Sequence, residues 1–186
     1  MGVGGADWLV RNERVEEEHP DEALDLIGIP KGGVVGDVGA GVGYYSLKLA
    51  KRVGPEGKVY ANDIQQGMID MLRQNMATQH VTNIIPILGA VNDPRLPKDA
   101  LDLVMLVDVY HEFSKPVEMI DRIRDSLKPG GRLILLEYRA EDPAVPIRPE
   151  HKMSVKTVRQ ELEPQGLKFQ KSIEKLPWQH IIIFTR

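Results

Sequence analysis

VVGDVGAGVGYYSLKLA, residues 34–50, passes from a short apolar run through three closely spaced glycines into a helical pattern. Val34 to Val38 has the length and apolar character of a strand buried on both faces of a parallel sheet. Asp37 stands at its end, Gly39, Ala40, Gly41 and Gly43 form the turn, and Tyr44 to Val53 reads as the following helix. In open parallel sheets, ligands sit beyond the carboxyl ends of the strands, where the backbone N–H groups of such a turn and the next helix N-terminus face them. Position alone makes this a candidate binding loop.

Working outward, the same alternation continues. Lys58 to Asp63 reads as extended, Gly67 to Gln79 as helical, Ile84 to Leu88 as extended and Leu101 to Val107 as a strongly apolar strand. Pro116 to Leu127 is expected as a helix closed by Pro129, Gly130 and Gly131, with Arg132 to Tyr138 as the next strand. Prolines in AEDPAVPIRPEHKM, residues 140–153, oppose helix and strand alike and predict an ordered, irregular surface loop. Ser154 can cap a helix running to about Glu163; Leu167 to Ile173 and His180 to Thr185 then read as a strand pair joined through LPWQ. The expected architecture is α/β, a three-layer sandwich around a mostly parallel seven-stranded sheet with one antiparallel strand near the C-terminus. Residues 1–30 are polar and acidic, with Glu16, Glu17 and Glu18 in a row and a helical apolar pattern at Ala23, Leu24, Ile27 and Ile29. They read as one or two helices preceding the sheet.

The 186 residues fit a single domain, 1–186, and the 42% hydrophobic and 27% charged fractions are those of a globular protein. A formal net charge of -3 offers no overall positive field for a phosphate backbone. Lys152, Lys156, Arg159, Lys168, Lys171 and Lys175 read as a solvated face, so no nucleic-acid partner is expected. The absence of cysteine excludes disulfides, a thiolate zinc site and a cysteine nucleophile. MGVGGADWLV at the N-terminus lacks the pattern of a leader, and no segment approaches the roughly 18 apolar residues of a membrane span. Cytoplasmic residence is the expectation; oligomeric state is left open.

The glycine spacing is G-x-G-x-G, and Tyr44 stands where a dinucleotide site would place its third glycine to receive a pyrophosphate. An acidic residue just before the loop also disfavours phosphates and suits an ammonium group. About twenty residues on, Asp63 in KVYANDI ends the second strand where a carboxylate can accept hydrogen bonds from both ribose hydroxyls. Ile64 is placed to lie against an adenine face, with Gly89, Ala90 and Val91 at the ring's polar edge. Each feature alone has a plain alternative, a strand-helix turn for the glycines and a helix cap for Asp63; their order and spacing together describe a nucleoside site.

From about Val34 to Arg186 the chain resembles the class I S-adenosylmethionine-dependent methyltransferases of the small bacterial type, and DVGAGVG matches that family's first motif. The resemblance implies a Rossmann-like fold and S-adenosylmethionine as cofactor, with Asp37 and the loop glycines on the methionine part and Asp63 on the ribose. Val107 and Asp108 would begin the segment passing under the cofactor. One departure is GAVND, where Ala90 replaces the Asp that family members often use for the adenine amino group, leaving Asn92 or Asp93 as substitutes. In similar methyltransferases the N-terminal segment folds over the cofactor, which makes residues 1–30, with Trp8, Arg11 and Arg14, a lid.

Methyl transfer from a sulfonium needs an acceptor at near-attack distance and, where necessary, removal of its proton. The fourth strand ends in VDVYHEF, so Tyr110, His111 and Glu112 are the candidate catalytic residues. His111 titrates near neutrality and is the natural general base, oriented by Glu112 or Glu137, unless it merely caps the following helix. Tyr110 reads as a pocket wall and Arg139 as a partner for an acidic acceptor group. His111, Glu112 and His151 together have the composition of a metal site, but the short ligand spacings are absent and no metal is expected. The expected acceptor is a small molecule. DVYHE in place of an N-P-P-Y-like segment argues against amino methylation of bases, and the competing readings are a protein or RNA acceptor, a nicotinamide-dependent oxidoreductase, or a non-catalytic nucleoside binder.

Overall fold

The computed structural model describes residues 3–186; Met1 and Gly2, the start of the expected lid, lie outside the described residues. A 3-10 segment, Val3–Val10, leads into α1 (Arg14–Glu18) and α2 (Pro20–Ile27). The alternating unit follows as β1 (Val34–Val38), α3 (Tyr44–Val53), β2 (Lys58–Asp63), α4 (Gln66–Thr78), β3 (Ile84–Leu88) and β4 (Leu101–Val107). The chain then forms α5 (Pro116–Ser126), β5 (Leu127–Arg139), β6 (Lys152–Met153), α6 (Val155–Leu162), β7 (Lys168–Ile173) and β8 (Gln179–Thr185). Proline at its first turn opens α5, and at α6 the Ser154 hydroxyl accepts the Thr157 N–H at 3.0 Å.

The sheet order is β3-β2-β1-β4-β5-β8-β7, and β8 runs antiparallel to both of its neighbours while the other main strands are parallel. This is the expected α/β Rossmann-like arrangement with its single reversed strand. An eighth, two-residue strand is added: Lys152 and Met153 lie beyond the last proline of the 140–153 loop, have N–H groups to offer, and pair in parallel with Tyr138 and Arg139. β5 also starts earlier than expected, because Leu127 pairs with Leu101 before an irregularity that absorbs the Pro-Gly-Gly turn.

Period-two alternation in β4 separates two cores. Leu103 and Met105 face α2, α3 and α4, whereas Val104 and Leu106 face α5 and α6, all four fully buried. Helices on both faces give three layers. Strand order reverses between β1 and β4, so the connections leaving their carboxyl ends diverge and open a crevice there.

Candidate active site

The crevice is a cavity of about 530 Å³. One wall is the loop after β1. Gly39 has φ +77°, and a Cβ there would stand 2.4 Å from Val109 Cγ2; the position combines a left-handed backbone with a close approach that only glycine tolerates. The N–H groups of this loop do not face the cavity as expected from the sequence. Gly39 and Ala40 donate to the Asn62 carbonyl at 2.9 and 2.8 Å, and Gly41 donates to Asp63 Oδ2 at 3.0 Å. Backbone hydrogen bonds thus tie the loop to β2, and its contribution to the cavity is shape.

Asp37 is behind that wall, 2% exposed, and accepts the Ser46 hydroxyl at 2.5 Å. Burial pushes its carboxyl up to about 6, with Ser46 and Arg14 opposing the rise and Asp63 adding to it. Asp63 lines the cavity, and its Oδ1 accepts the Gln65 N–H at 2.9 Å. Burial raises this carboxyl too, against the hydrogen bonds from Gln65 and Gly41. Ile64 and Val91, each about half exposed, line the same end. Gly43, Tyr44, Gly89 and Ala90 are not on the wall: Tyr44 lies under the Arg14 guanidinium, 4.6 Å from its ring centroid, and Ala90 closes a turn with Asp93 through paired backbone bonds. Asp93 is occupied in that turn by the Arg95 N–H at 2.7 Å.

Val107 and Asp108 form the floor. Asp108 has φ +52°, a conformation rare for a residue with a side chain, and turns the chain sharply out of β4. Its Oδ1 is buried with no hydrogen-bond partner among the described residues, 3.9 Å from His111 Nδ1. Burial, reinforced by Glu137, pushes this carboxyl up to about 7 while His111 opposes the rise. Asn62 Oδ1, on another wall, is likewise a buried acceptor with no partner among the described residues. Two orphaned acceptors and several buried carboxyls suit a ligand that brings N–H donors and positive charge.

Above the floor the N-terminal segment closes one side. Arg14, 5% exposed, lines the cavity and donates to Glu18 Oε2 at 2.6 Å and to the Leu9 carbonyl at 2.8 Å. Tyr138 donates its hydroxyl to Glu18 Oε1 at 3.0 Å, which fastens α1 to the end of β5. Glu18 escaped sequence reasoning because a run of three glutamates reads as a solvated face; only its partners reveal that one of them is buried.

On the acceptor side the structure separates the three candidate residues. Glu112 lines the cavity. Tyr110, expected as a pocket wall, is turned into the α5–α6 core and donates its hydroxyl to Glu161 at 2.7 Å; the 3-10 turn Tyr110–Glu112 points successive side chains in different directions. His111 is also off the wall, its side chain 5% exposed, with Nδ1 2.8 Å from Glu137 Oε2 and Nε2 3.0 Å from His151 Nδ1. Glu137, fully buried, orients it, as one of the two expected alternatives. Burial alone would lower the His111 pKa, but the hydrogen bond and charge of Glu137, with Asp108 and Glu112, hold it above the ordinary value. His151, Ile147 and Arg148 come from the proline-rich loop and line the cavity, as do Phe113 and Met119. Arg139 is directed instead to the carbonyls of Leu176 and Gln179, closing the β7–β8 connection.

The chain matches the family described as methyltransferase domain over residues 35–131. It is 30% identical over 117 residues to a ubiquinone/menaquinone biosynthesis C-methyltransferase of Hydrogenovibrio crunogenus, an alignment covering 62% of this chain and 46% of that protein. Against a demethylmenaquinone methyltransferase of Symbiobacterium thermophilum it is 33% identical over 102 residues, 54% of this chain and 41% of that one. The chain thus spans about half the length, or less, of the curated relatives it matches. The crystal structure of a SAM-dependent methyltransferase from Aquifex aeolicus superposes with a TM-score of 0.93 at 25% identity, covering 100% of this chain and 98% of that one. The matched family segment ends before Glu137 and His151 but holds the glycine loop, Asp63 and Asp108, which the fold gathers around one cavity. On those grounds the chain belongs to the methyltransferase domain family, as a class I S-adenosylmethionine-dependent methyltransferase.

Proposed function

We propose that this protein transfers the methyl group of S-adenosylmethionine to a small, largely apolar acceptor that carries an acidic proton. The observation behind this reading is the make-up of the cavity wall: Asp63, Asp108, Asn62 and the glycine loop, with orphaned acceptors on Asp108 and Asn62, together with apolar Phe113, Met119 and Ile147 and the polar Glu112 and His151. When bound, the cofactor supplies an electrophilic methyl group on a positively charged sulfur. In this reading Asp63 accepts from the ribose hydroxyls, Ile64 and Val91 flank the adenine, and Gly39, Ala40 and Gly41 shape the space for the methionine part. Asp37 acts from behind the loop with its charge, Asp108 receives the ammonium, and Arg14 meets the carboxylate. Gly43, Tyr44, Gly89 and Ala90 support that wall without touching the ligand, Tyr44 through Arg14. Residues 1–186 act as one domain, with 1–30 as its lid.

Against Phe113, Met119 and Ile147 a compact ring would fill the apolar space, and Arg148, which also lines the cavity, accommodates a negative substituent. Of the two relatives, one is named as a C-methyltransferase of ubiquinone/menaquinone biosynthesis and the other as a demethylmenaquinone methyltransferase, and both agree with a small organic acceptor. His111, held by Glu137, supports proton removal from that acceptor from behind the cavity wall.

Titration calorimetry tests the reading. S-adenosylmethionine and S-adenosylhomocysteine are expected to bind in the micromolar range and NAD not at all. Tight NAD binding without binding of either methionine nucleoside would replace it with the oxidoreductase alternative.

A further inference from the structure

We propose that the group taking the acceptor's proton is His151, with Glu137 and His111 as positioning residues behind it; this rests on the methyltransferase reading above. Glu137 Oε1 accepts the Tyr110 N–H at 2.9 Å and the Val109 N–H at 3.3 Å, which leaves Oε2 for His111. A carboxylate can only accept, so the proton of this bond is on His111 Nδ1, and neutral His111 presents the Nε2 lone pair to His151 Nδ1. His151 Nδ1 then carries the proton of the second bond, and its basic nitrogen is Nε2, on a ring that lines the cavity while His111 does not. The pair is held by backbone as well: β6 pairs Lys152 with Tyr138, which sets His151 beside Glu137 at the end of β5.

The same side chains, with Glu112, have the donor atoms of a cation site within 4.8 Å of one another. The imidazoles are 5.1 Å apart between centroids with nitrogens at 3.0 Å, so these nitrogens point nearly at one another. That is the geometry of a shared proton, not of two lone pairs converging on a third point.

The step balances as follows. The acceptor's electron pair forms the bond to the methyl carbon, and the carbon–sulfur bonding pair returns to sulfur, which becomes neutral. The acceptor's proton moves to His151 Nε2, the proton on His151 Nδ1 passes to His111 Nε2, and the positive charge comes to rest on His111 against Glu137. The carboxylate–histidine arrangement thereby stabilises charge that develops at a more exposed ring.

The test is long-range 1H–15N NMR of the full chain labelled at histidine, titrated over about pH 5 to 9, spanning the usual histidine range. The His111 signals are expected to move through a midpoint held above the ordinary histidine value by Glu137, Asp108 and Glu112, and the His151 signals to report that change across the shared hydrogen bond. Glu137→Gln should lower that midpoint by about one unit through loss of the nearby negative charge. His111→Asn, a second variant in case the first does not fold, should remove the change that His111 passes to the His151 signals. Signals from His151 that are indifferent to both substitutions overturn the relay, as does a stoichiometric divalent ion in the purified protein whose removal by chelator shifts both rings. Calorimetry with S-adenosylhomocysteine on the same samples separates the two ideas: absent binding removes the methyltransferase reading, whereas the histidine coupling stands or falls by itself. Once an acceptor is in hand, His151→Ala should lose at least about 100-fold in kcat and regain part of it with added imidazole, while His111→Ala, whose gap is buried, should not be rescued.

Discussion

Asp37 and Asp108 are carboxyls that burial holds at about 6 and about 7, close to a cavity that a cationic ligand fits. A bound ammonium and sulfonium favour their ionised forms and lower both values, so binding must expel protons in the pH range where the free protein still holds them. Calorimetry of S-adenosylmethionine near pH 6.5 in buffers of different ionisation enthalpy should therefore show release of up to about one proton, fading by about pH 8.5. An enthalpy independent of buffer would place the positive charges elsewhere. Asp63 makes a separate prediction. Its two oxygens already hold the Gly41 and Gln65 N–H groups, so Asp63→Ala loses both the ribose acceptor and the tether of the loop. Affinity for S-adenosylhomocysteine should fall at least about tenfold, the equivalent of 1.4 kcal/mol; unchanged affinity would refute the ribose contact.

Between residues 3 and 18, the N-terminal segment is held by charge as much as by apolar contact. Arg14 and Glu18 form a buried pair whose side chains are 7% and 1% exposed, and Glu18 also holds Tyr138. Arg14→Ala leaves Glu18 without its main counter-charge and should cost about 3–5 kcal/mol. Proteolysis should then cut the segment much faster in the variant, with a parallel loss of cofactor affinity. Arg14→Ala with Glu18→Gln should recover most of the protection but not the affinity, if Arg14 meets the ligand directly; recovery of both would make its role purely structural. Strands and helices were legible wherever glycine or proline punctuated the chain: β1, β2, β3 and β4 and helix α3 lie where their patterns predict. β6 was not, since two residues carry no periodicity. The contact of His111 with His151 spans 40 positions and depends on β6, so no local pattern encodes it. Tyr110 and His111 adjoin a legible strand, but the 3-10 turn that directs one into the core and the other toward Glu137 leaves no period to read.

Across the whole molecule, Asp37, Asp63, Asp108 and Glu137 gather near one crevice, with Arg14, Arg148, His111 and His151 among the nearby basic groups. Asp37 and Asp108 bind protons more tightly folded than unfolded, and His111 does so as well. Each contribution is complete below its unfolded value and is lost as pH rises through the folded one, so the two carboxyls act between about pH 4 and 7 and His111 continues the same direction above about pH 6.5. Asp21 and Asp102 shift the other way, but lie toward solvent, where screening weakens them, and their effect falls at the acidic end of that range. Buried His180, whose pKa burial lowers, also opposes the trend below about pH 6.5, the ordinary histidine value. The free protein should therefore show a Tm that declines as pH rises from about 6.5 to about 8. Bound S-adenosylmethionine supplies positive charge where the ionised carboxyls are repelled, so its Kd should be lower and its increment in Tm larger at pH 8 than at pH 5. Differential scanning calorimetry at one fixed ligand concentration for both pH values measures this directly. An equal increment at both pH values would show that the buried acids do not sense the cofactor, and would leave Asp37 as a fold residue that Ser46 and the first strand need for themselves.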